Sequence, residues 1–169
     1  MINIKLLFYF LTSLFFSCSI FPSYVNNKQL NSLNEKDSIE KYDSLPLLKM
    51  RRTPCFGQCP YFEVSIFNDG SVEYEGFNFV EKIGFYNSKI NIKKVALIED
   101  YIRKVDFFSF DELYDARVSD LPSVIIEVNF KGNNHKVKGR YNMPEKFKML
   151  SKFIDNLVSE IEFWEKSTN

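Results

Sequence analysis

The sequence predicts an α+β domain: an antiparallel sheet built from two hairpin-helix units, with both helices packed on one face. Three observations predict it. Two pairs of alternating segments each flank a turn: Tyr61–Phe67 with Ser71–Phe77 around Asn68-Asp69-Gly70, and Ser123–Phe130 with His135–Arg140 around Lys131-Gly132-Asn133-Asn134. Each pair is followed by a stretch whose apolar residues recur at helical spacing. The chain has 169 residues, 45% of them hydrophobic and 17% aromatic, which is room and core material for one domain plus terminal extras.

At the N-terminus, Lys5 precedes an apolar run from Leu6 to Phe16, followed by Ser17-Cys18. That run is far short of the ~20 residues needed to span a bilayer and has the length of a signal-peptide core. Phe15-Phe16-Ser17-Cys18 resembles a bacterial lipobox, departing from it in carrying Phe15 where Leu is preferred. The expectation is a lipoprotein signal over residues 1–17, with Cys18 lipidated and the mature protein held at the cell envelope, in the inner or outer membrane. An uncleaved anchor and an ordinary secretory signal are the alternatives. Residues 18–45 are rich in Asn, Ser, Lys and Glu and sustain no period, which predicts a flexible tether. As a coil it would reach roughly 30 Å on average.

The folded domain is expected over residues 46–166. A first strand covers Leu47–Arg52, with Leu48 and Met50 on one side. Phe62, Val64 and Ile66 then share a face, Glu63 and Ser65 the other; Val72 and Tyr74 point inward, Glu73 and Glu75 outward. A third strand is expected between Phe79 and Tyr86. Asn91 predicts the cap of a helix to about Val105, with Val95, Ile98, Ile102 and Val105 as its buried stripe. Phe107-Phe108-Ser109-Phe110 predicts a corner entering the core, and Asp111–Pro122 a loop with one helical turn. In the second unit Val124, Ile126, Val128 and Phe130 alternate. Pro144 suits the first turn of a final helix whose stripe would be Phe147, Leu150, Ile154, Leu157, Ile161 and Trp164.

Charge excludes one large class of partner. Lys plus Arg and Asp plus Glu both total 22, and removal of a signal ending at Ser17 would delete only Lys5. Nucleic-acid binding calls for a basic surplus or stripe, and no such surplus exists here. A polybasic membrane patch is equally absent, so membrane attachment is expected through the lipid on Cys18. No cofactor motif is found: there is no Gly-x-Ser-x-Gly elbow, phosphate-binding glycine loop or His-Glu-x-x-His.

The stretch with chemical content is Arg51-Arg52-Thr53-Pro54-Cys55-Phe56-Gly57-Gln58-Cys59-Pro60. Of three cysteines, lipidation would consume Cys18 and leave Cys55 and Cys59 to pair. Fully extended, their Cα atoms would lie roughly 13 Å apart. A disulfide requires about 4.4–6.8 Å, so the loop must turn, and the turn is expected at Gly57. In an oxidising compartment the bond is the default, though so short a ring stabilises by only about 2 kcal/mol. Thiol redox chemistry is the sharper alternative, with Arg51 or Arg52 beside a thiolate. Against it, the spacing exceeds Cys-x-x-Cys by one residue and a strand follows instead of a helix. Zinc would need two further ligands, and His135 beside its turn reads as exposed and uncommitted.

Asp111, Glu112, Asp115 and Asp120 cluster in sequence without acid–base spacing, and read as caps and solvated groups. Tyr61, Phe67, Phe77 and Phe85 could form an aromatic patch away from the core; cover by the tether, the first strand or the second sheet face is the expected alternative. The motif Thr53-Pro54-Cys55-Phe56-Gly57-Gln58-Cys59-Pro60, then Asp69-Gly70, Phe107-Phe108, Tyr114 and Asp120-Leu121-Pro122, resembles domain-of-unknown-function family 6438 over roughly Leu47 to Leu157. The resemblance implies a small lipoprotein or secreted domain of the kind frequent in Bacteroidota. It implies no activity and no catalytic residue. The functional expectation is therefore a non-enzymatic, membrane-tethered binding module for a protein or envelope ligand. The alternatives are an enzyme of unrecognised type, for which a deep polar pocket lined by Asp120 and Arg140 would speak, and a redox module using Cys55 and Cys59.

Overall fold

The computed structural model describes residues 45–116 and 120–167. The expected signal, the Cys18 lipidation site and nearly all of the tether lie outside the described residues. Within them the fold is α+β: one eight-stranded, mostly antiparallel sheet and two α-helices. In chain order the strands are β1 (Leu48–Arg52), β2 (Tyr61–Ile66), β3 (Ser71–Asn78), β4 (Gly84–Lys89), β5 (Leu113–Tyr114), β6 (Val124–Phe130), β7 (Asn133–Gly139) and β8 (Glu165–Lys166). Helix α1 (Ile92–Val105) lies between β4 and β5 in the chain, and α2 (Glu145–Ser159) between β7 and β8. Across the sheet the order is β5-β7-β6-β1-β2-β3-β4-β8.

Strand β1 is the joint between the two hairpins. It pairs antiparallel with β2 on one side and β6 on the other, Met50 lying opposite both Val64 and Ile126. Because side chains alternate along a strand, that register puts Leu48, Met50, Phe62, Val64, Ile66, Val72, Tyr74, Val124, Ile126 and Val128 on one sheet face, and all are buried. The opposite face carries the row Lys138, Ile125, Arg51, Glu63, Glu75 and Phe85.

Helix α1 follows its sequence pattern closely. The Asn91 side chain accepts from the Lys93 amide at 2.9 Å, and Val95, Ile98, Ile102 and Val105 are the buried stripe. Gly70 explains the sharpness of the preceding β2–β3 turn. It sits at φ +84°, and a Cβ there would lie 2.5 Å from the Ile90 carbonyl oxygen.

Four expectations need correction. The third strand begins at Gly84, and Phe79–Ile83 form a loop that folds back over β3, with Phe79 at φ 52°. The fold-back is possible because Gly76 has no side chain where the Lys82 carbonyl passes. Asp111–Pro122 contains the short strand β5, which joins the edge of β7 in parallel through Lys138 N–H to Glu112 O and Arg140 N–H to Tyr114 O, both 2.8 Å. The final helix stops at Ser159, short of Ile161 and Trp164. Helical spacing continued past the helix because both residues still return to the core, while β8 pairs with the open edge of β4. Pro144 precedes α2 as its cap, its carbonyl accepting from the Phe147 amide at 3.0 Å.

Candidate functional site

The cysteine loop grows from the end of β1. Thr53 ties it down: its N–H donates to the Ser123 carbonyl at 3.0 Å, and its Oγ1 accepts from the Ser123 N–H at 2.8 Å. Cys55 and Cys59 are joined as a disulfide with their Cα atoms 5.7 Å apart. The turn between them needs no left-handed residue, since Gly57 is not among the glycines of positive φ; its N–H donates to Cys55 Sγ at 3.2 Å. Phe56 stands at the tip, 87% exposed.

Beyond Pro60 the chain enters β2 at Tyr61, whose ring stacks on Phe77 with centroids 4.3 Å apart. Arg51 lies over both rings, at 5.4 and 5.7 Å, and donates to the Tyr61 hydroxyl at 2.6 Å. Thus β1 covers Tyr61 and Phe77, while Phe85 stays half-exposed on another strand. The four aromatics do not make one patch.

On the buried side of the same sheet end lies a cleft of about 560 Å³. Phe62 and Tyr74 come from β2 and β3, Phe79–Lys82 from the fold-back loop, Asp155 and Val158 from α2, and Trp164 from the segment beyond it. Cys59, Pro60 and Pro122 complete the rim. Arg52 spans the wall to Asp155: Nε donates to Oδ1 at 2.9 Å and a second guanidinium nitrogen to Oδ2. This two-pronged pairing matches the planar guanidinium to the carboxylate and cancels the charge of each.

Tyr74 is the group most altered by its surroundings. It is 8% exposed, and its ring sits 5.5 Å from Phe62, 5.4 Å from Trp164 and 6.5 Å from Tyr86. Burial pushes its phenol up to about 12, and the neighbouring Tyr86 adds to the effect. The hydroxyl is therefore a neutral donor at any physiological pH. Elsewhere Asp69, at the β2–β3 turn, is held below the usual carboxylate range by the Ser71 hydroxyl and amide that donate to it.

The acidic loop residues do not converge on the cleft. Asp115 pairs with Arg140 at 3.7 Å, and Arg140 Nε also donates to Ser123 Oγ at 3.1 Å. Neither Asp120 nor Arg140 lines the cleft. Asp111 and Glu112 are exposed, and the backbones of both are tied to β5 or β7. His135 is committed, contrary to expectation. Its Nε2 meets the Phe110 carbonyl at 2.8 Å, and its ring packs edge-on to Phe107 at 5.7 Å. It opposes Val128 on β6, several residues along the sheet from Val124, where the cysteine loop is tied. Cysteines and histidine are thus kept apart by register, and among the described residues no group of three or more His, Cys, Asp or Glu side chains could hold a metal ion.

Sequence reading missed the cleft. Arg52 entered as a charge beside a thiolate, Tyr74 as an inward core residue and Trp164 as the last rung of a helix. A local hint was Asp155, a carboxylate directly after Ile154 at the margin of the buried stripe of α2.

No helix among the described residues is long and apolar enough to cross a membrane. The model of a family described as a domain of unknown function (DUF6438) matches residues 46–158, more than half of the chain. No curated protein matches it.

Proposed function

Because the chain belongs to DUF6438, a family whose label carries no activity, its function has to be argued from the site, and we propose that it is an envelope-anchored module that binds a ligand in the cleft beside the cysteine loop without transforming it. The observation that carries this reading is the cleft's composition. Its volume of about 560 Å³ falls within the roughly 300–1,000 Å³ of small-ligand sites. Its walls are mainly rings and aliphatic side chains, and its charges are spent on each other. A general acid or base would want an unpaired group poised near neutral pH; the Arg52–Asp155 pair and a phenol raised to about 12 suit recognition better.

The same proposal includes the fold's finer arrangement. Both helices cover the one sheet face, each closing its own hairpin. Three features support this: the buried strand residues share that face, the buried stripes of α1 and α2 join the same core cluster, and Tyr101 of α1 stacks on Phe153 of α2 at 4.4 Å. It also includes the address. Cys18 carries the lipid, residues 18–45 form the tether, and the domain stands just off the membrane.

Trp164 is the only tryptophan of the chain and lines the cleft, so its indole N–H resonance reports occupancy without further assignment. A screen of small aromatic compounds against the protein should move that resonance in a saturable way. A screen in which no compound moves it would refute the binding reading. For the address, Cys18→Ser should abolish incorporation of labelled fatty acid; label retained on the variant would show the lipid to be elsewhere or absent.

One observation favours a second reading. Cys59 lines the cleft and the loop around it is open to solvent, so a thiol redox role is the runner-up. Alkylation of protein taken directly from the envelope separates the two. A trapped free thiol at Cys59 would favour redox chemistry, and a fully blocked pair would favour a structural ring.

A further inference from the structure

Polar side chains along the cleft wall almost all have partners. Arg52 and Asp155 hold each other, Lys82 pairs with Glu81 at 3.5 Å on the rim, and Ser159 Oγ donates to the Asn156 carbonyl at 2.7 Å. The Trp164 indole donates to the Ile161 carbonyl at 3.1 Å. Tyr74 is the exception. Among the described residues its hydroxyl has no hydrogen-bond partner, although more than nine-tenths of the residue is buried. No fully enclosed side-chain polar atom in the described structure lacks a partner, so this oxygen is not sealed in, and Tyr74 lines the cleft. A phenol donor among apolar rings with no protein acceptor gains from an acceptor brought to it. A partnerless oxygen on a residue that lines a cleft whose other polar groups are satisfied marks where an acceptor is expected.

We propose that the cleft binds an uncharged ligand with an aromatic or similarly flat apolar body that bears a carbonyl oxygen, and that the Tyr74 hydroxyl donates to that oxygen. The neutrality follows from the charges around it. Arg52 is cancelled by Asp155 and Lys82 by Glu81, so the wall offers a carboxylate no net attraction to offset its desolvation. The flat body follows from the rings of Phe62, Phe79 and Trp164 that line the space. The donor role follows from the phenol's own O–H, which no protein acceptor takes up and which stays protonated through the physiological range. Tyr74 acts here as a specificity-determining residue of the binding site proposed above, on which this inference rests.

Three compounds with one ring system separate the contributions: 2-acetylnaphthalene carries a neutral carbonyl, 2-naphthoate an anionic carboxylate, and 2-ethylnaphthalene no acceptor. Titrated into the full chain and read at the Trp164 indole N–H, 2-acetylnaphthalene should bind tightest, about three- to tenfold tighter than 2-ethylnaphthalene, as one net hydrogen bond allows. 2-Naphthoate should bind no better than the hydrocarbon. Tyr74→Phe removes only the oxygen and keeps the ring stack; it should erase the ketone's advantage and leave 2-ethylnaphthalene unchanged. If the compounds bind and Tyr74→Phe leaves the ketone's advantage intact, or if 2-naphthoate binds best, the ligand class is wrong while the cleft remains a binding site. If none of the three moves Trp164, the binding reading falls with it. Amide exchange and circular dichroism on Tyr74→Phe establish that the fold is retained, so a loss of the ketone's advantage is attributable to the hydroxyl.

Discussion

Gly76→Ala tests whether the fold-back loop, and with it one wall of the cleft, depends on a missing side chain. Gly76 lies in β3 between Phe62 and Gly84. A Cβ there would sit 1.8 Å from the Lys82 carbonyl oxygen and 2.9 Å from Val80 Cγ2. To restore even 3.0 Å, the backbone at Lys82 must retreat by 1.2 Å, the difference between the two distances. Forcing backbone shifts with one added carbon typically costs about 1–3 kcal/mol. Alanine returns part of that, about 0.5–1 kcal/mol, by reducing the freedom of the unfolded chain. The expected net loss is about 1–2 kcal/mol, or roughly 4–8 °C in Tm for a domain of this size. Urea denaturation followed by circular dichroism should show a lower midpoint with an unchanged slope, and the Trp164 indole resonance should move as Phe79–Lys82 shift. Gly132→Ala is the control: it has nothing within 4 Å but lies at φ +79°, so it carries left-handed strain of about 1–2 kcal/mol less the same unfolded-chain gain, a net of about 0.5–1 kcal/mol. If Gly76→Ala loses no more than Gly132→Ala and leaves Trp164 in place, the steric reasoning is refuted.

Opening the ring with Cys55→Ser and Cys59→Ser together should cost about 2 kcal/mol in urea denaturation, and reductant should do the same to the wild type; a folded state abolished outright would mean that the ring holds more than its own loop. Tyr74 predicts an alkaline limb of instability. Its folded pKa is raised from 10.0 to about 12, so its contribution is complete below pH 10 and lost as pH rises through 12, a span worth at most roughly 3 kcal/mol and less where solvent reaches the hydroxyl. Denaturation of Tyr74→Phe across that range should lack this component, and identical pH profiles would contradict it. Arg52→Met or Asp155→Asn alone leaves the opposite charge part-buried and should cost about 1–3 kcal/mol each, tempered by side chains 23% and 31% exposed. The double variant Arg52→Met/Asp155→Asn should lose less than the two singles combined, and strict additivity would show the pair to be uncoupled.

What was legible in the sequence and what was not divides along the range of the interaction. Alternation in β2 and β3, the Asn68-Asp69-Gly70 turn and the α1 stripe capped by Asn91 are set by neighbours a few residues away, and they appear where the spacing puts them. The third strand was misplaced by several residues because its start depends on a contact across the hairpin, Gly76 against Lys82, which no local period encodes. Strand β5 was missed for a similar reason: two residues pairing with the edge of β7 are too few to alternate. His135 looked idle because its partner, the Phe110 carbonyl, is supplied by backbone 25 residues away.

The cleft is the extreme case. Arg52 and Asp155 are separated by 103 residues, and each sits in a segment whose own pattern already had an explanation as strand or helix. Tyr74 fits the inward positions of β3, and Trp164 fits a continued helical spacing, so both satisfy the core pattern completely. Periodicity records that a side chain turns inward; it does not record whether the space it meets is filled. At Tyr74 the ring answers the pattern and the hydroxyl does not. The same inward-facing residue can therefore be core by its carbon atoms and site by its oxygen. A pattern built on hydrophobicity sees the first, and only the three-dimensional count of donors and acceptors sees the second.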